Sequence, residues 1–582
     1  MRQLRIESSS SSASISRSSF LLSLLLVLVG ATAAGAQTAA PTLFFTDLTS
    51  GPNSGGESVS GFSGAYVTLY GNNFGATQGS ATVTLNGANC LRVVSWGSAW
   101  MWYQTLVVQL SSTCTSGNFA VTTSQGPSNG LAFTVRSGNI YCVSSSGSDS
   151  NAGKFPNCWA TIPHSVHSGM AAGDTTYVQT MTDNKDDNHG AIVDLTNGGN
   201  SQATPMALIV YPGSAVQLNT TNSDTYSMRT PAVTGPLPGW TIAGFTMRGA
   251  NAVDLDVNYV RLVGNDISCT GSTNYGCLTT TGTNNSQFYG NNLHNMGQSC
   301  AGNSAGCKLY ENVYLAASNN TDFGWNIIDP DPQNTGTAGC RGYNTRGDQT
   351  GSGTDILSAL VHDNIIRNVV CDGINLPTIN PSDSGTKVYN NVVYHVGEGS
   401  SNVTPGNFTC LNIDSYATES GSVQVYNNTF YDCGGLAHPV SGASSSAGAF
   451  SIGTGVHATL TNNIFSSLSS SEPYIAPESS SNYCSAVTGS NNLWFGAGAS
   501  PSCGNLTSSL NSDPLFVSPG TNFQLQSSSP AIDKAVSVAG LGMDILGTSR
   551  PQGAALDIGA YEFQSGAAPK PNPPTMLSIA VQ

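Results

Sequence analysis

The sequence predicts an all-β chain: a small antiparallel sandwich followed by a long parallel solenoid of short strands. Three observations carry this expectation. Charged residues make up only 9% of the 582 residues, against about 25% in ordinary globular domains, and Gly, Ser, Thr and Asn take their place. Val, Ile, Leu and aromatic residues recur throughout in short alternating runs, which argues against disorder and for many strands joined by turns. An asparagine followed by an apolar pair also returns again and again through the second half of the chain, as a repeat architecture requires.

Residues 1–36 read as a secretory signal peptide. Arg2, Arg5 and Arg17 precede the apolar run "FLLSLLLVLVGA", and "AGA" at 34–36 closes it with small residues. The run is shorter than the ~20 residues a spanning helix needs, and no later stretch qualifies. The expectation is a secreted or cell-surface protein without membrane insertion. All 14 cysteines follow residue 36, and an even number in an exported chain predicts disulfides. Most fall in near pairs: Cys90/Cys114, Cys142/Cys158, Cys269/Cys277, Cys300/Cys307, Cys410/Cys433 and Cys484/Cys503, with Cys340 and Cys371 remaining. Local pairing is the simplest connectivity, although spacing alone does not fix it. No CxxC pair exists, which argues against a zinc site. The net charge is −15, and −17 (15 basic against 32 acidic residues) once residues 1–36 are set aside. Such a surface disfavours nucleic acid and anionic membranes as partners. It is compatible with Ca²⁺, and an anionic polymer would need local basic residues or a metal to bind.

Residues 41–136 form the sandwich: "AYVTLYGNNFG", "ATVTLNG", "TLVVQL", "NFAVTTSQG" and "LAFTV" follow at strand-like intervals. Their order resembles the IPT/TIG immunoglobulin-like domain over nearly the whole segment, which implies spacing or binding rather than catalysis. The next segment, "YCVSSSGSDSNAGKFPNCWATI" at 141–162 with a later "GDTTYVQ", resembles the entry segment of secreted right-handed parallel β-helix proteins. It is expected to cover the open end of a solenoid, because terminal repeats must be atypical.

The body spans the rest of 138–563. In "GNNLHNMG", "GWNIID", "HDNIIRNVV", "YNNVVYHVG", "YNNTFYDCGG", "TNNIFSSL" and "SNNLWFG" the last asparagines are 292, 326, 364, 391, 428, 463 and 492, with Asn265 an earlier candidate and spacings of 27 to 38. Coils stacked about 4.8 Å apart would let these amides form a ladder along the stack, so they are read as structural. "DPLFVSPGTNFQLQSSSPAIDKA" followed by "SRPQGAALDIGAYEF" resembles the closing segment of bacterial pectate-lyase-like β-helix proteins, the choice-of-anchor Q type. Residues 564–582 are a Pro-rich tail.

Stacked coils turn equivalent positions into rows. Three residues past each ladder asparagine stand Asp329, Arg367, Tyr394 and Tyr431. Four past stand Asn368, His395 and Asp432. Asp329 should therefore neighbour Arg367, and His395 should neighbour Asp432. Asp372 and Glu398 follow in adjoining loops, and Lys387 lies in "GTKVYNN". Arg367 with Asp329 also reads as a plain inter-coil ion pair, and Asp372 and Glu398, each before Gly, as turn residues. Lys308, Glu311, Arg341, Arg346 and Asp348 form further polar groups in inserted segments.

The resemblance to pectate-lyase-like proteins implies action on an extracellular polysaccharide by a monomeric protein. Ca²⁺-assisted β-elimination from a uronate polymer would use Arg367 to neutralise the carboxylate and Lys387 or His395 as base, with Asp372, Glu398 and Asp432 supplying oxygens to Ca²⁺. A glycoside hydrolase would use paired carboxylates, and a non-catalytic surface protein would only bind glycan. The chain departs from known patterns: "DPHD" of alginate epimerases is absent, as are the polygalacturonase motifs "GHG" and "RIK".

Overall fold

The computed structural model describes residues 39–565, except 186–189, 197, 200–202, 220–225, 231–238, 270–275, 297–308, 332–338, 348–354, 398–407, 415–420, 435–446, 454, 469, 471 and 477–482. Residues 1–36, Cys300, Cys307, Lys308, Asp348, Glu398 and most of the Pro-rich tail therefore lie outside the described residues.

Residues 42–135 build the expected sandwich. Thr42–Thr46, Tyr66–Asn72, Tyr103–Leu110 and Leu91–Trp100 form one sheet of four, and Ser50–Gly51, Leu131–Val135, Gly117–Thr123 and Thr82–Leu85 form the facing sheet. The Cys90–Cys114 disulfide closes one end.

From Ile140 the chain winds into a parallel β-helix. Each full coil gives one strand to each of three sheets, here sheets I, II and III, with 13, 12 and 10 strands beginning at Ile140–Val143, Met181–Asp183 and Ala191–Asp194. The pairings within these sheets are parallel, and Val, Ile, Leu and Phe fill the interior, as strands buried on one face require. The entry segment plugs the first coil. Ile162, Val166 and Met170 join the interior core, Asp149 caps the amides of Ala160 and Thr161 at 2.8 and 3.0 Å, and Cys142 is bonded to Cys158.

The amide ladder exists, one position off the expected register at one coil. Its members are Asn265, Asn291, Asn326, Asn364, Asn391, Asn428, Asn463 and Asn492, each passing a side-chain hydrogen bond to the next at 2.9–3.1 Å. Asn292 is not a rung; it donates to Asp266. The reason is the residue before each rung, which always has positive φ: Gly264, Gly290, Trp325, Asp363, Asn390, Asn427, Asn462 and Asn491. In "GNN" that left-handed slot belongs to the glycine, so the first asparagine is the rung. In "YNN" and "TNN" the first asparagine takes the slot, which Asn tolerates better than most residues.

Six disulfides are seen among the described residues, including Cys340–Cys371. Local pairing holds for five of the six near pairs, the sixth lying outside the described residues. Cys340, Cys371 and Cys410 are fully buried, so their bonds tie coil to coil inside the core.

A second core lies outside the coils. Tyr177, Ile209, Val263 and Tyr289 on the outer face of sheet I pack against the sandwich, while Ile327, Ile365, Val392, Ile464 and Leu493 on the outer face of sheet II pack against the closing segment. That segment does not add a coil. Its hairpin, Phe516–Ser518 with Asn522–Leu525, lies on Tyr394 and Tyr431, whose rings are 5.0 and 5.2 Å from Phe523. It then runs back to the sandwich, where Thr42 Oγ1 donates to the Gly547 carbonyl at 2.8 Å and Asn72 Nδ2 to that of Leu546 at 2.9 Å. The outer asparagines hold it on the way: Asn390 donates to Met543, Asn427 to Asp557 and Gly559, Asn462 to Val536 and Asn491 to Lys534. Among the described residues no helix is long and apolar enough to cross a membrane.

Candidate functional site

No residue of sheet III joins the core that holds the sandwich and closing segment, and strand alternation makes its outer face polar. Met228, Val253, Leu278, Val313, Tyr343, Ile374, Leu411 and Phe450 form one inward row. The row beside it, in register, is Arg229, Asp254, Thr279, Tyr314, Asn344, Asn375, Asn412 and Ser451. Its later half is a second amide stack. Asn375 Nδ2 donates to Asn344 Oδ1 and Asn412 Nδ2 to Asn375 Oδ1, both at 2.8 Å, and Ser451 Oγ to Asn412 Oδ1 at 2.5 Å.

Its earlier half carries paired carboxylates. In "VDLDV" the two acids share a parity, so Asp254 and Asp256 stand two residues apart on one face of the extended chain. Asp254 Oδ1 accepts from Thr279 Oγ1 at 3.0 Å, and Asp256 Oδ1 accepts from the Thr281 amide at 2.5 Å. Asp254 is half-buried and Asp256 exposed. Burial first, and the charge of Asp256 second, push the Asp254 carboxyl up to about 6; hydrogen bonds from Thr279 and Tyr226 and the charge of Arg229 pull the other way. Asp256 is also raised, chiefly by burial. Arg229 lies 5.7 Å from the Tyr226 ring centroid and 3.6 Å from Asp194. Two neighbouring acids, one of them raised to about 6, can divide donor and acceptor roles.

A second charged group lies further along the sheet. Arg341 Nη1 donates to Glu311 Oε1 at 3.0 Å, and its Nε stands 3.6 Å from Asp372 Oδ2. Burial raises the Glu311 carboxyl despite the pull of Arg341. Burial would lower the Arg341 guanidinium, but its two flanking acids keep it above the usual arginine range.

The residues singled out from the sequence are not gathered in one groove. Arg367 pairs with Asp329 as the row count predicts, at 2.7 Å, and donates to the Tyr394 hydroxyl at 2.9 Å. It is only 4% exposed, which corrects its expected place in an open groove: the inter-coil ion pair is the reading the geometry favours. His395 and Asp432 are neighbours, Nδ1 to Oδ2 at 2.6 Å. Both sit with positive φ on a column of bulges along sheet II, with Asn295 and Asn368, where the closing hairpin's Gly520 approaches His395. Lys387 is on the outer face of sheet I. Asp372 alone lies beside sheet III, buried just ahead of strand Ile374–Leu376, and Glu398 lies outside the described residues. Asp372 and Asp432 thus stand on different sheets, each beside a basic side chain. Among the described residues no group of three or more His, Cys, Asp and Glu is placed to hold a metal ion. Sequence reasoning missed Asp254 and Asp256 because the asparagine repeat begins only at 265; the alternation of "VDLDV" was the available signal.

No family model matches the chain, and no curated protein matches it. Solved structures with a similar chain path exist. A pectate lyase, Pel9A, is 14% identical, with 73% of this chain and 96% of that one covered and a TM-score of 0.40. XylC, solved with xylose, is 10% identical, with 73% and 98% covered and a TM-score of 0.41. A family 28 exopolygalacturonase of Yersinia enterocolitica is 10% identical, with 82% and 97% covered and a TM-score of 0.30. At such values the likeness is one of chain path, and any chemistry has to be read from this chain's own residues.

Proposed function

We propose that this protein cleaves an extracellular polysaccharide laid across the outer face of sheet III, with Asp254 and Asp256 as the reacting carboxyls. The single observation that carries the proposal is this pair: Asp254 at the end of strand Val253–Asp254 and Asp256 two residues on, the first held up to about 6 and half-buried, the second exposed. Protonated Asp254 donates its proton to the glycosidic oxygen as the bond to the anomeric carbon breaks. Ionised Asp256 takes a proton from the attacking water on the opposite side. Alternate Cα atoms of an extended chain stand about 6.6 Å apart, a backbone spacing from which two carboxyls can reach the separation of inverting hydrolysis, about 6.5–9.5 Å. Beside the pair, half-buried Tyr314 offers a ring for a neighbouring sugar unit, while Thr279, Asn344 and Asn375 of the same row are buried and support the face from beneath.

A second reading, β-elimination, is favoured by the cations beside this face. Arg229 and Arg341 could neutralise a uronate carboxylate so that the adjacent C–H becomes acidic. Calcium remains the metal proposed for that route, with Asp372 and Asp432 no longer expected to share one ion. In both readings the chain is exported and monomeric, and the sandwich serves as an IPT/TIG module that braces the coils.

The test is digestion of a panel of neutral and uronate polysaccharides by the full chain, with Ca²⁺ and with EDTA, reading reducing ends and the absorbance of unsaturated products. Reducing ends without absorbance, abolished in Asp254→Asn, support hydrolysis. Absorbance indicates elimination. Glycan binding with no product from any polymer overturns both in favour of a non-catalytic binding protein.

A further inference from the structure

A second groove lies on a different face. Sheet I presents two outward rows. One is aromatic, with Tyr289, His362, Tyr389 and Tyr426 in register, and the sandwich residue Phe44 and residues 540–542 of the closing segment approach it. The row beside it is polar: Gln287, Asp322, Leu360, Lys387 and Gln424, also in strict register. This row floors a groove of about 560 Å³, walled on one side by Asn285, Asn320, Ser358 and Ser384. Five coils about 4.8 Å apart give it a length of ~19 Å along the solenoid axis, which suits a linear chain rather than a single small molecule.

Its charge is what narrows the ligand. The carboxylate of Asp322 is already engaged: Oδ1 with His362 Nε2 at 2.7 Å, and Oδ2 with the Tyr289 hydroxyl at 2.6 Å. The partners of Lys387 in the neighbouring strands are Leu360 and Gln424, neither charged. Its backbone amide donates to the Ala359 carbonyl at 2.9 Å, and among the described residues its ammonium has no hydrogen-bond or ion-pair partner. In a chain of net charge −15, half-buried Lys387 lies in a groove lined mostly by amides and hydroxyls, with Leu360 and the already engaged Asp322 among them. Amides suit sugar hydroxyls, and an unpaired ammonium suits one anionic substituent.

We propose that this groove is a second glycan-binding site, separate from the sheet III face, that holds a linear polysaccharide carrying an anionic group, carboxylate or sulfate ester, at Lys387. It would keep the protein on its polymer while the other face works. The proposal goes beyond the assignment of cleavage to sheet III and does not depend on it.

Binding is therefore measured without cleavage. The full chain carrying Asp254→Asn is run in native gels containing polygalacturonate, dextran sulfate or neutral dextran, alone and with Lys387→Ala, Lys387→Arg or the groove-blocking Ser384→Trp. Folding of each variant is checked by its melting temperature. The expected result is retardation by an anionic polymer, weakened at least tenfold in apparent affinity by Lys387→Ala and Ser384→Trp and retained by Lys387→Arg. Retardation by polygalacturonate alone assigns the carboxylate, and by dextran sulfate alone the sulfate ester. Three results overturn the proposal: no retardation by either anionic polymer, equal retardation by neutral dextran, or undiminished retardation in folded Lys387→Ala. A polymer that binds at Lys387 but is never cut by the wild type leaves this site standing and removes the cleavage reading.

Discussion

Asn427 and Asn428 are consecutive in the chain, yet their side chains serve opposite sides of the coil wall. Asn427, at φ +52°, donates outward to the carbonyls of Asp557 and Gly559 at 3.0 and 3.2 Å. Asn428 turns inward, donates to Val388 O and Asn463 Oδ1, and accepts from the Asn391 amide at 3.0 Å. Replacing Asn428 with Ala strands the Asn391 amide and the Val388 carbonyl in a dry interior, at about 1–3 kcal/mol for each. Asn427→Gly keeps the left-handed turn without strain and loses the two outward bonds and the one Asn427 Oδ1 accepts from Asn462 Nδ2 at 3.0 Å. Thermal unfolding should rank wild type above Asn427→Gly, and that variant above Asn428→Ala. The reverse order of the two variants would show that the ladder is not the stabilising partner.

His362 gives the fold a pH dependence on the alkaline side. Burial alone would depress its pKa, but Asp322 and Asp363, at 2.7 and 2.8 Å, outweigh burial and raise it to about 10. A raised histidine stabilises the native state fully below its unfolded pKa, near 6.5, and that contribution is lost as pH rises from there through about 10. Melting temperatures measured between pH 6 and pH 10 should fall in the wild type and fall less in His362→Gln, which should already be destabilised at pH 6 by about 3–5 kcal/mol. Parallel curves for the two proteins would refute the assignment. Gly324→Ala should act similarly, because its Cβ would stand 2.5 Å from the His362 ring.

On the sheet III face, hydrolysis with protonated Asp254 as acid should decline as pH rises through about 6. Asp256→Asn removes the charge that helps raise Asp254, so any residual activity should lose its alkaline limb at a lower pH. Asp254→Asn should lower kcat by about 10²–10⁴ and leave the melting temperature within a few degrees. A pH–rate profile flat from 5 to 8 in the wild type would exclude Asp254 as the acid.

The Cys340–Cys371 bond closes a loop of separation 31 between two fully buried positions. The double Ser variant should be less stable by about 2–4 kcal/mol in chemical denaturation. If wild type and variant have equal midpoints, the bond contributes nothing to the native fold.

Much of this architecture was legible because alternation and repetition are written locally. The Asn–apolar recurrence identified the coils, and counting three or four residues from each rung correctly paired Asp329 with Arg367 and His395 with Asp432. What the count could not supply was depth. Three residues past a rung is an outward position, but whether it meets water depends on the segment between 514 and 563, which returns from far along the chain to cover sheet II. Arg367 looked available for that reason and is sealed. The spread of Lys387, Asp372 and His395 over three faces had the same origin: strands 20 residues apart in the chain can belong to different sheets. Asp254 and Asp256 were hidden differently, in coils where glycine rather than asparagine fills the turn slots.

The bonds from Thr42 to Gly547 and from Asn72 to Leu546 span sequence separations of 505 and 474. A simple solenoid unravels from its ends, each terminal repeat holding only its neighbour. Here the first strand of the sandwich and the closing segment grip each other along the flank, so a linear array becomes a closed circuit in which the first and last coils are both held. The clasp also sets a schedule. Its second half follows every coil in sequence, so the coils are synthesised before it with the apolar flank of sheet II bare, and that flank is shut only once this segment has been made.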